Sequence, residues 1–284
     1  IINPFINSSI DAFNRLKPGF EAPVCVVTSL GHSPEIPSRN RSVLVCLVRD
    51  ILRPMATRLE VRSPNPFSNT YLVISSLYQT MLDGMIAAAE SGKSNRELER
   101  EISKKAGEES FYLDKDRVYR SELNVFEHFT KEERDKLFGV HPATPWENIQ
   151  NLEKYKERIA ILLRGNVMTK DIINSVIVST IDKWTNELEG RVIFDNVQLI
   201  RECKELHGED TVTDLDNIHW KNINNLRKEL MKDSTNNLSI IGRIRKALHQ
   251  GDYQKASDLH ILMNEKVDEL RNKYIEYKQN LLEA

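Results

Sequence analysis

Seven histidines (His32, His128, His141, His207, His219, His249 and His260) and three cysteines (Cys25, Cys46 and Cys203) are the residues from which a metal centre or a nucleophilic site would be built. No two histidines stand three or four positions apart, the spacing that puts two ligands on one helix face, and no C-x-x-C pair occurs. The sequence therefore predicts neither a zinc site nor a disulfide framework. SLGHSPE (29–35) sets Ser29, His32 and Glu35 close together and invites a nucleophile-and-base reading. Catalytic partners usually converge from separate segments, and the Gly/Ser/Pro content of this stretch reads as a loop. Phosphate-binding glycine motifs and a G-x-S-x-G elbow are absent, so the expectation is no catalytic residue, no metal and no cofactor.

Cations offer the clearest binding signal. Arg243, Arg245 and Lys246 fall on the outer side of one amphipathic segment, with Lys255 and the Arg227/Lys228 pair nearby. Such a cluster is a candidate contact for RNA phosphates or for an acidic partner, with a solvated helix face as the plain alternative. SRNRS (38–42) is a second, smaller basic spot. Across the whole chain 40 basic residues meet 42 acidic ones, so no global field gathers polyanions.

The elements that must position these residues divide by texture. Eight of ten prolines lie at or before Pro66, and only 15 of the 82 charged residues lie in the first 90. The reading is a Pro-punctuated, apolar, partner-contacting segment over 1–90, connecting helices over 91–140 and an antiparallel helical bundle over 141–284. The fold class expected is mainly α: a C-terminal antiparallel helical bundle plus an irregular, Pro-rich, mostly helical N-terminal segment. PVCVVTSL (23–30) and SVLVCLV (42–48) could be strands, but the second runs on into RDILRPMATRLE and is read as a buried helix kinked at Pro54. Ser68 is expected to cap a long helix with a core stripe of Ile74, Leu77, Met81, Met85 and Ala88. Ser94–Glu97, Thr130–Glu133 and Thr144–Glu147 are helix-opening signals, with Gly107, Gly139 and Gly165 as stops. Helices are then expected from Thr169 to Gly190, from Asp195 to Gly208 and from Thr213 to about Met231. IIGRIRKALHQGDYQKASDLHILM (240–263) is a helix, a turn at Gly251 and a second helix capped by Asp252.

IDKWTNELEGR (181–191) and LRKELMKDSTNNLSIIGRIRKALHQGDYQKASDLHILM (226–263) carry a family resemblance. Residues 171 to 275 resemble the small helical bundle shared by the steroid receptor RNA activator protein, the C-terminal domain of the large COPII outer-coat subunit and a second-step splicing factor. The tryptophan-containing G-V-K-R-L-I ending of two of these is replaced here by DELRNKYIEYKQNLL. The resemblance implies a packing module that works through protein contacts or around RNA.

Function is therefore expected to be that of a non-enzymatic structural or adaptor subunit, a scaffold in a multisubunit complex making protein–protein contacts. The alternative is an RNA-contacting component of a ribonucleoprotein, spliceosomal or associated with an organellar ribosome. Partners would be other protein subunits and RNA, without membrane insertion, because no apolar run approaches the ~20 residues of a spanning helix. Scattered cysteines point to a reducing intracellular compartment, with cytoplasm, nucleus and mitochondrial matrix left open. The chain begins without Met, which fits a removed leader or an excerpt of a longer chain.

Overall fold

Four residues of SVLVCLV make the first departure from expectation. Val45–Val48 is strand β1, paired antiparallel with β2 (Arg58–Val61) in the register Val45↔Val61, Cys46↔Glu60, Leu47↔Leu59 and Val48↔Arg58. The buried kinked helix is not formed. Pro54 opens a single 3₁₀ turn (Pro54–Ala56), and Leu52 before it and Met55 within it are almost fully exposed. A valine-rich apolar run (Val43, Val45, Val48), followed within a few residues by a proline that cannot donate a ladder hydrogen bond, favours strand followed by turn. This computed structural model describes residues 1–6, 45–48, 52–56, 58–62, 64, 68–121, 123–140, 142–208 and 213–279. PVCVVTSL, SLGHSPE and SRNRS lie outside the described residues.

Apart from this hairpin the described chain is helical, as the mainly α expectation requires. It separates into two units, Ile1–Ile177 and Val178–Ala284. In the first, α1 (Asn3–Ile6) and α2 (Thr70–Ser91) are followed by α3 (Asn95–Ile102), α4 (Val125–His128), α5 (Lys131–Phe138), α6 (Pro145–Lys154) and α7 (Ile159–Leu163). Asn69, not Ser68, caps α2, accepting from the amides of Tyr71 and Leu72, while the Ser68 hydroxyl donates to the Ile6 carbonyl at 2.8 Å. Capping boxes open α3 at Ser94/Glu97 and α5 at Thr130/Glu133, and Thr144 with Pro145 opens α6. Each satisfies amides that the first turn leaves orphaned. Helix α3 stops at Ser103, before Gly107. The core of this unit gathers Phe5, Leu152, Leu162, Met168 and Ile173.

Helix α8 (Lys170–Glu187) does not end at Gly190. A π turn over Leu188–Val192 carries the helical path without a break into α9 (Ile193–Glu202). A glycine inside a helix costs about 1 kcal/mol relative to alanine, which burial of Leu188, Val192 and Ile193 outweighs. The extra residue of the π turn also resets the helical phase, so that Trp184 before it, Leu188 at its start and Ile193 and Ile200 after it are all fully buried.

The second unit is completed by α10 (Asp214–Met231), α11 (Ile240–His249) and α12 (Tyr253–Gln279). The hairpin at 240–263 forms as expected. Gly251 takes a left-handed φ of 68°, Asp252 accepts from the Lys255 amide at 3.1 Å, and Ala256, His260, Met263 and Val267 are buried.

Candidate functional site

Strand geometry sets the first candidate site. Side chains on a strand alternate between faces, so Arg58, Glu60 and Arg62 share one face of β2 and its exit, while Leu59 and Val61 share the other. Glu60 Oε1 accepts from Arg62 Nε at 2.8 Å, which fixes the plane of that guanidinium. The described side chains of this face are two guanidiniums and one carboxylate. A guanidinium fork is the geometry that pairs with a carboxylate or a phosphate.

A second feature of the same unit is a cavity of about 280 Å³ walled by Arg117, Arg158, Asp114, Asp83, Tyr112 and Tyr119, among others. Asp114 lies 3.3 Å from Arg158 Nη2 and 3.8 Å from Arg117 Nε, and its amide donates to the Tyr119 hydroxyl. Asp83 accepts from Arg164 Nη2 at 3.0 Å and from the Tyr112 hydroxyl. Burial, reinforced by the hydrogen bond to Asp83, pushes the Tyr112 hydroxyl up to about 12, so it remains a donor at neutral pH. The wall is held by the buried Lys104, whose ammonium donates to the carbonyls of Lys115 (2.7 Å) and Arg117 (2.9 Å). Gly139 lies against the Arg117 guanidinium with a φ of 102°.

In the second unit the basic residues singled out from sequence take separate roles. Arg227 donates to the Ile200 carbonyl at 3.1 Å and stacks on Trp220, and Arg243 is half-buried with its Nε enclosed by protein. Arg245, Lys246, Lys255 and Lys228 are exposed. His207 contacts the Tyr277 hydroxyl at 2.6 Å, His249 lies 3.7 Å from Glu189, and His260 is buried against Trp184. Cys203 is a buried free thiol, its pKa raised by that burial. Among the described residues no three His, Cys, Asp or Glu side chains come together in a way that could hold a metal ion.

Comparison with known proteins decides the lineage. The sequence model described as "Glutamine synthetase, catalytic domain" matches residues 1–146, just over half the chain. The chain belongs to the glutamine synthetase catalytic-domain family. Among relatives, the glutamine synthetase of Azospirillum brasilense is 29% identical over 187 residues, 66% of this chain and 30% of that protein. That of Aquifex aeolicus is 30% identical over 172 residues, 61% of this chain and 28% of the relative. That of Thermotoga maritima is 42% identical over 86 residues, 30% of this chain and 16% of the relative. The chain thus spans less than a third of the length of each of these relatives. No solved structure matches.

Glutamine synthetase kinship overturns several expectations. The likeness of residues 171–275 to the receptor activator, coat and splicing bundle does not stand, because those residues owed it to packing positions that any small antiparallel bundle shares. With it go the non-enzymatic adaptor or scaffold and the ribonucleoprotein component, since the matched family is one of enzymes. Sequence reasoning missed this site by reading Arg58–Glu60 as the tail of a kinked helix and giving Arg62 no role. The period-two alternation of charged and apolar residues after a β-branched run was the signal that could have found them.

Proposed function

We propose that this chain supplies part of a glutamine-forming site and that the Arg58/Glu60/Arg62 face binds a carboxylate of the substrate. The observation that carries this reading is the family match over residues 1–146, which contains the hairpin. A synthetase of this name joins ammonia to the side-chain carboxyl of glutamate. A carboxylate is a poor electrophile in water, so it must be held, shielded and activated by a phosphoryl donor before an amine can attack. Holding it suits arginines set along one strand face, whose guanidinium forks match a carboxylate. An intracellular setting is consistent with the same reading.

The test is glutamine formation by a hybrid in which the whole 284-residue chain replaces the matching stretch of the Thermotoga maritima glutamine synthetase, assayed with glutamate, ammonia and a nucleoside triphosphate. A hydrogen bond to a charged group contributes about 1.5–3 kcal/mol. The double substitution Arg58→Gln, Arg62→Gln is then expected to lower kcat/KM for glutamate by a factor of about 10²–10⁴. A hybrid that folds but makes no glutamine, or a double variant as active as its parent, would refute the proposal.

A further inference from the structure

Helix α2 turns Ile74, Met81 and Met85 outward, against the sequence expectation of a core stripe, and lends Thr80 and Asp83 to the cavity walled by Arg117 and Arg158. Neither arginine is saturated by the fold. Arg158 Nη2 donates to Asp114 Oδ1 at 3.3 Å and Arg117 Nε lies 3.8 Å from Asp114 Oδ2. The remaining guanidinium nitrogens of both have no hydrogen-bond partner among the described residues. Asn151 and Tyr155 line the same cavity, and their side-chain amide and hydroxyl are likewise unpartnered among those residues. Gly139 gives Arg117 its place, since a Cβ there would stand 2.9 Å from the guanidinium.

Charge and shape select a ligand. The charged side chains of the lining are Arg117, Arg158, Asp114 and Asp83, and Asp83 is already held by Arg164 and the Tyr112 hydroxyl. Asp114 balances one guanidinium, which leaves the other for an anion. One guanidinium fork satisfies the two oxygens of a carboxylate. A phosphoryl group has three terminal oxygens and a charge of about −1.5 to −2 at pH 7, which suits two forks converging from separate segments. The volume of about 280 Å³ is roughly nine times a liquid water's share, more than inorganic phosphate fills. Phe138, Tyr119 and Tyr155 supply an aromatic wall for the remainder. We propose that this cavity binds a small phosphomonoester carrying a ring, its phosphoryl group on Arg117 and Arg158 and its ring against the aromatic wall. The like charge of Asp114 keeps the affinity modest. The inference does not rest on the Arg58/Arg62 reading.

The experiment is isothermal titration calorimetry of the 284-residue chain at low salt with three probes: phenyl phosphate, inorganic phosphate and benzoate. Phenyl phosphate is expected to bind once per chain, at least about 10-fold tighter than either of the others. Arg117→Gln and Arg158→Gln should each weaken it at least about 10-fold. Arg158 is half-exposed, so Arg158→Gln should keep the parent's thermal unfolding midpoint and report on binding alone. Asp114→Asn removes the like charge and should tighten phenyl phosphate by about 3-fold or more, a gain that damage to the wall would not produce. Absence of binding at about 10 mM phenyl phosphate overturns the proposal. So does benzoate or inorganic phosphate binding as tightly, an affinity indifferent to both arginine substitutions, or an Asp114→Asn variant that binds more weakly than its parent.

Discussion

Lowering the pH from 7 to 5 should loosen the second unit through His260. Its Nδ1 accepts from Trp184 Nε1 at 3.5 Å, so the ring proton sits on Nε2, which is enclosed by protein with no acceptor. Burial lowers the histidine from 6.5 to about 4, because an imidazolium there would lose its hydration and meet the Trp184 donor. The unfolded chain binds a proton below about 6.5 and the folded chain only below about 4, so stability is complete above the first value and lost as pH falls toward the second. A shift of this size corresponds to about 3 kcal/mol in all, of which about 2 kcal/mol is gone by pH 5. Urea unfolding followed by far-ultraviolet circular dichroism measures it directly. His260→Phe removes the titrating group and should flatten the decline between pH 7 and 5 by about 2 kcal/mol relative to the parent, even though Trp184 loses its acceptor. An equal decline in parent and variant would refute the assignment.

Three further outcomes follow from packing. Lys104→Met strips the carbonyls of Lys115 and Arg117 of their charged donor and should destabilise the first unit by about 2–4 kcal/mol in thermal unfolding. Gly139→Ala places a Cβ 2.9 Å from the Arg117 guanidinium at a φ of 102°, so a loss of about 1–3 kcal/mol is expected from the same measurement. Gly242→Ala brings a Cβ to 2.5 Å from Asp233 Oδ1, the atom that accepts from the Ser239 amide and hydroxyl at the start of α11. Hydrogen exchange over α11 should accelerate, and unchanged exchange would show that the Asp233 cap is dispensable.

How much was legible in the sequence depended on whether the partner of a residue lay nearby along the chain. Capping boxes at Ser94 and Thr130, the helix start at Thr144 and the turn at Gly251 were readable because their hydrogen bonds close within a few residues. The apolar stripe of α11 and the first turns of α12 was readable for the same reason, since the two helices pack on each other across a short turn. The continuation through Gly190 was not, because burial of Leu188 and Ile193 overrides a local stop signal. Helix α2 shows the limit most plainly: its period was correct and its inward face was wrong, because a 3.6-residue repeat identifies an apolar side without naming what covers it. The hairpin was missed because a short β-branched run fits helix and strand alike until its pairing partner is known, and the charged alternation at Arg58, Glu60 and Arg62 acquires meaning only on a strand.

The central claim is that the hairpin arginines hold the substrate carboxylate, and the Michaelis constants of the Thermotoga hybrid test it most directly. Arg62→Lys keeps the charge but loses the fork, so KM for glutamate should rise at least about 10-fold while KM for ammonia stays unchanged. A KM for glutamate that does not move, or one that moves together with that for ammonia, would contradict the account.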